Sequence, residues 1–131
     1  MKYLLDTDIC IYLINERPRG VLARFRRHEV GDIGVSSVTV SELAWGVAKT
    51  GSARNRAALE AFLLPLEIAP YDLAAALRYG EVRAELAKRG RPIGPLDTMI
   101  AAHALSLGVT LVTNNVREFG RVRNLTIENW A

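Results

Sequence analysis

Residues 1–10 read Met-Lys-Tyr-Leu-Leu-Asp-Thr-Asp-Ile-Cys, MKYLLDTDIC: a short apolar run stops at two carboxylates, Asp6 and Asp8, and apolar character resumes at Ile9. An ionised carboxylate is not buried without a partner, because desolvating it costs more than the chain gains by folding over it. The run fits a short strand covered on both faces. The acidic pair therefore either ends that strand and caps a following helix, or holds something positive.

Working outward, short apolar runs alternate with longer segments of helical period. The strand candidates are Lys2–Leu5, Ile33–Ser36, Leu66–Ala69, Thr110–Thr113 and Leu125–Ile127, and the helix candidates are Asp8–Asn15, Val21–Glu29, Val40–Lys49, Ala53–Leu63, Asp72–Arg89 and Pro95–Leu107. The resulting order, β-α-α-β-α-α-β-α-α-β-β, predicts an α/β fold in which a central, mainly parallel sheet of about five strands is flanked by helices.

Bulk properties are consistent with one compact domain over residues 1–131. The chain is 50% apolar and 24% charged, and no repeat, low-complexity run or charge block divides it. The first fifteen residues lack the pattern of a secretory signal, and no stretch approaches the ~20 apolar residues of a membrane span, so a cytoplasmic protein without a membrane partner is expected. Cys10 is the only cysteine and lies among Ile9, Ile11 and Leu13, where it reads as a small buried hydrophobe. The net charge is only +3, but fourteen arginines stand against three lysines, a choice suited to two-pronged contact with phosphate or carboxylate. Charge by itself does not separate a nucleic-acid partner from a solvated face.

Topology brings distant residues together. In a parallel sheet all strands end at one edge, the returning helices begin there, and ligands bind there. Asp6 ends the first strand, Glu42 opens the helix after the second, Asp97 opens the helix before the fourth, and Asn114, Asn115 and Glu118 follow the fourth. Capping explains some of these singly: Asp8 is placed to cap the first helix, Thr39-Val-Ser-Glu42 fits a capping box, and Asp97 lies two residues after a Pro at a helix start. Asp6 has no such role in this reading. Several carboxylates on one rim repel one another unless a cation neutralises them, and an all-oxygen set suits Mg²⁺, with Mn²⁺ as a substitute. Zinc would call for a His or Cys cluster, and the two histidines are apart: His28 in an Arg-rich helix, and His103 on the apolar stripe of Met99, Ile100 and Leu107, where a structural role is expected.

Four stretches, LLDTDICIYL at 4–13, SSVTVSELAWG at 36–46, IGPLDTMIAAHAL at 93–105 and LVTNNVREFGRVRNLTIENW at 111–130, resemble in content and order the PIN domains, and more narrowly the VapC toxins of type II toxin-antitoxin systems. The resemblance covers essentially the whole chain and implies a PIN-like α/β/α sandwich and a Mg²⁺-dependent endoribonuclease. By position it implies that Asp6, Glu42, Asp97 and Glu118 are catalytic, with Asp6 and Asp97 holding the metal. Asn115 stands where many PIN domains have a fourth acid, which makes Glu118 the substitute carboxylate. Asp8 and Asn115 would orient the site, Thr7 and Thr113 would hydrogen-bond its acids, and Arg17, Arg19 and Arg117 would contact RNA phosphates. The partners implied are a cognate VapB-like antitoxin, a structured RNA such as a tRNA or rRNA loop, and a second copy of the chain. The homodimer is expected through the helices after the second strand, around Leu59, Phe62, Leu63 and Trp45, with ordinary core packing as the other reading of those residues.

Other chemistries stay open at this point. An aspartyl phosphotransferase of the haloacid-dehalogenase type also begins with Asp-x-Asp after its first strand, although here Cys10 replaces the expected Thr or Val. A non-catalytic PIN-fold module binding RNA or protein would keep the fold without the fourth acid. A metal-free ribonuclease would need His28 and His103 to meet as acid and base.

Overall fold

The computed structural model describes all of residues 1–131. Five strands, β1 (Tyr3–Leu5), β2 (Ile33–Ser36), β3 (Glu67–Ala69), β4 (Thr110–Val112) and β5 (Ile127–Glu128), form one sheet in the order β3-β2-β1-β4-β5, and every neighbouring pair is parallel. Helices α1 (Thr7–Asn15) and α2 (Arg19–Arg26) link β1 to β2, and α3 (Ser37–Thr50) and α4 (Ala53–Leu63) link β2 to β3. Helices α5 (Leu73–Lys88) and α6 (Pro95–Leu107) link β3 to β4, and the single turn α7 (Val116–Phe119) links β4 to β5.

Alternation along the strands makes two cores. Leu4 and Leu111 face one way and pack with Val82, Leu86, Ile100 and Phe119, whereas Leu5, Val35 and Val112 face the other way and pack with Ile9, Leu13, Leu43, Leu59 and Trp130. The sheet is therefore covered on both faces, as its short apolar strands require.

Several element starts differ from the sequence reading, and each difference has a local cause. The first helix is capped by Asp6 and not by Asp8: the Asp6 N–H makes the last ladder bond, to the Val112 carbonyl at 2.8 Å, and its carboxylate accepts from the Thr7 N–H at 2.8 Å, so the chain turns at once. Helix α3 begins at Ser37, three residues before Val40. Ser36 pairs with Ala69 as the last residue of β2 and caps α3 by accepting from the Val38 N–H at 3.0 Å, which leaves Thr39 and Glu42 inside the helix with no capping box formed. Helix α2 starts directly after Pro18 and ends at Arg26, where Val21–Glu29 was expected. Strand β5 lies at residues 127–128 instead of 125–127, and α7 was not anticipated. Leu59 is buried in the core, as the core reading has it, while Phe62 and Leu63 pack against that core and stay half-buried and Trp45 is exposed.

Candidate active site

Asp6 sits at the C-terminal end of the central strand β1 and is almost fully buried. One carboxylate oxygen accepts from the Thr7 N–H and the other from the Thr113 hydroxyl, each at 2.8 Å. These bonds favour the charged form, but burial and the neighbouring Asp8 charge outweigh them and push its pKa up to about 7. Asp8, two residues further, accepts from its neighbour Ile9 N–H at 2.7 Å and from the Asn114 N–H at 3.3 Å, and burial raises its pKa too.

The remaining acids arrive from three other segments. Glu42, in the second turn of α3, accepts from the Thr7 hydroxyl at 2.9 Å, and the Thr39 hydroxyl lies 3.4 Å from that of Thr7. Asp97, in the first turn of α6, has its pKa pushed up to about 6 by burial first, then by the charges of Glu118, Glu42 and Asp8. Glu118, on α7, accepts from the Asn115 side-chain amide at 3.1 Å, while the Asn115 N–H donates to the Thr113 hydroxyl at 2.9 Å. Thr113 thus bridges Asp6 to the loop that carries Asn115 and Glu118. The rim brings together Asp6, Thr7, Asp8, Glu42, Asp97, Thr113, Asn115 and Glu118, as the parallel topology predicts.

The arginines divide differently. Arg117 is exposed on α7 beside Glu118. Arg17 and Arg19 lie past the far end of α1, whose nine residues carry the chain about 13 Å away from the rim. Asn114 plays a larger part than its residue type signalled: besides its N–H bond to Asp8, its side chain donates to the Tyr12 hydroxyl and accepts from Asn129, both at 3.2 Å. Only the Asn-Asn pair after β4 hinted at this. The histidines do not meet. His28 stacks on Trp130 in one layer, and His103 is buried on α6 in the other, 2.9 Å from the Ser36 hydroxyl.

None of the rim acids forms an ion pair with a Lys or Arg side chain. No group of three or more His, Cys, Asp or Glu side chains is drawn tightly enough together to hold an ion alone. Raised carboxylates with no internal counter-charge fit a hard divalent cation that takes one or two protein oxygens and keeps several waters. Beside Glu42 and Thr7, Ile11, Leu43, Val47 and Leu59 line an apolar groove of about 290 Å³.

Comparison with known proteins gives a consistent result over the full length. The family model for the PIN domain matches residues 3–125. The tRNA(fMet)-specific endonuclease VapC of Shigella flexneri is 47% identical, covering 100% of this chain and 99% of that protein. Ribonuclease VapC2 of Haemophilus influenzae is 48% identical with the same coverage. Among solved structures, the DNA-bound VapBC of Salmonella typhimurium superposes with a TM-score of 0.92 at 43% identity, covering 100% of this chain and 99% of that one.

Proposed function

This chain belongs to the PIN-domain family, with VapC ribonucleases as full-length relatives, and from that membership we propose that it is the RNA-cleaving toxin of a type II toxin-antitoxin pair. The observation that carries the reading is the convergence of Asp6, Glu42, Asp97 and Glu118, from four separate segments, on one rim that has no cationic side chain of its own. Full-length likeness to ribonucleases, together with this rim, favours phosphodiester hydrolysis over phosphotransfer or a purely binding role.

Asp6 and Asp97 would hold the metal, Mg²⁺ with Mn²⁺ able to replace it, and Glu42 and Glu118 would complete the acidic set. A divalent ion there would supply Lewis acidity and positive charge against the phosphate. Thr113 and the Thr7 N–H fix the Asp6 carboxylate, the Thr7 hydroxyl fixes Glu42, and Asn115 fixes Glu118. Asp8 holds the loop after β4 through Asn114. Arg117 contacts a phosphate flanking the scissile one; Arg17 and Arg19 reach only more distant parts of a large RNA. The substrate proposed is tRNA(fMet), after the relative that carries that name. A VapB-like antitoxin restrains the activity by laying a tail into the groove beside Glu42 and presenting an Arg or Lys to the rim acids. No helix is long and apolar enough to cross a membrane, and the cytoplasm, where tRNA resides, is the proposed location.

The test is cleavage of tRNA(fMet) by the purified chain. Cleavage that requires Mg²⁺, stops with excess chelator, and falls at least about 100-fold in folded Asp6→Asn and Asp97→Asn is the expected result. Cleavage by either variant at the wild-type rate would overturn the metal assignment.

A further inference from the structure

Trp45 on α3 is 66% exposed, although Trp is a residue type that is mostly buried. It is three residues after Glu42, so it shares that acid's side of the helix. The Lys49 ammonium, one turn on, lies 4.1 Å from the centre of the indole ring. The two side chains help to line a second groove, of about 610 Å³, which Glu42 and Thr7 of the acidic rim, Ile11 and Met99 also line. The ammonium covers one face of an indole that is otherwise largely exposed, so a flat ring with a free face and a cation stand together at the reaction site and match the two parts of a nucleotide, a flat base and a phosphate.

On the reading of the rim as a ribonuclease site, we propose that Trp45 and Lys49 form a stacking subsite for one unpaired base of the RNA, one or two nucleotides from the scissile phosphate, with Lys49 taking that nucleotide's phosphate. The rise along α3 from Glu42 to Trp45 is only about 4.5 Å, so a base against the ring belongs to a nucleotide near the scissile phosphate. The subsite therefore demands that the RNA be unpaired next to the cut. A duplex cannot offer a base to the ring without unstacking it.

The chain has only two tryptophans, and Trp130 is 2% exposed, so a ligand that changes fluorescence by stacking reports on Trp45. The probe is a transcript of tRNA(fMet) bound to Asp6→Asn, which blocks cleavage, with Asp6→Asn/Trp45→Phe as the control. Quenching in the first protein that is absent from the second, and absent with a fully paired RNA, is expected. In the otherwise native chain, Trp45→Ala should lower kcat/KM for the tRNA roughly 10- to 100-fold, and Trp45→Tyr should restore most of it. Wild-type protein that cleaves the tRNA while Trp45 emission stays unchanged would overturn the subsite and leave the ribonuclease reading standing. Emission already blue-shifted and shielded from acrylamide in the free protein would place the ring against a second copy, and quenching by an antitoxin peptide but not by RNA would assign the groove to protein; either result also overturns the subsite. Failure of the wild type to cleave any tRNA, with Trp45 still quenched, would count against the ribonuclease reading and not against the stacking.

Discussion

Asp6 carries a charge in the metal-free protein that burial and its neighbours oppose, and this sets a pH signature. Below pH 3.8 it is protonated whether the chain is folded or not. Between 3.8 and about 7 the folded chain keeps a proton that the unfolded chain releases, and that advantage is lost as pH rises through about 7. Asp97 adds the same trend between 3.8 and about 6. The metal-free protein should therefore melt at lower temperature as pH rises from about 5 to about 8, and Asp6→Asn should raise the melting temperature at the upper end by about 3–8 °C while leaving the lower end little changed. Mg²⁺ should recover the lost stability at the upper end more than at the lower. Scanning calorimetry across that range checks both, and a flat or rising profile would remove the buried charge as a cost. The acidic pair was legible in the first ten residues, but which member caps the helix was not. Asp6 caps because its N–H makes the final bond to β4, a fact of sheet register that no local pattern contains. The distance of Arg17 and Arg19 from the rim was not legible for a similar reason, since the intervening helix α1 sets it.

The start of α3 shows how one element's register decides a site. The pattern Thr39-x-x-Glu42 offered a capping box, but Ser36 ends β2 and takes the cap, so the helix begins earlier and Glu42 is turned toward Thr7. Ser36 also meets His103 at 2.9 Å, and His103 lies six residues after Asp97 on α6. One buried contact thus ties the helix that carries Asp97 to the start of the helix that carries Glu42. Ser36→Ala removes a cap and leaves a buried ring nitrogen unpaired, and should cost about 1–3 kcal/mol by denaturant midpoint. His103→Leu in the same background should cost less than it does alone, by about 0.5–3 kcal/mol, because no partner is then left unsatisfied. Strict additivity would mean that the contact carries no coupling. The long helices α4, α5 and α6 were legible because each runs for three turns or more with the expected period; α7 and β5, at four and two residues, are too short to show one. Burial of Phe119 and pairing with β4 place them instead.

At the scale of the whole molecule, the sheet is covered on both faces and open at its two outer strands. Strand β3 is an outer strand, and beside it the chain leaves Leu73 and Leu77 of α5 74% and 64% exposed, one turn apart on the same stripe, with Ile68 of β3 also exposed. Neighbouring leucines on one stripe and an uncovered strand edge together form the kind of surface that a monomer does not keep bare. This face is separate from the one around Leu59, Phe62, Leu63 and Trp45, where Leu59 enters the core, Phe62 and Leu63 are half-buried and Trp45 is exposed; the apolar excess of α5 is not visible until its buried side is known. We therefore expect a homodimer through α5 and the β3 edge, with twice the 14.4 kDa mass of one chain by light scattering at tens of micromolar. Leu73→Asp together with Leu77→Asp should give a monomer that melts within a few degrees of the parent, since neither side chain packs in the monomer's core. Because a two-fold dimer places two acidic rims at a fixed separation, the monomer should also lose any preference for an RNA long enough to touch both rims while still cutting short RNAs. A monomeric mass for the parent chain would remove the dimer, and unchanged mass in the double variant would move its interface elsewhere.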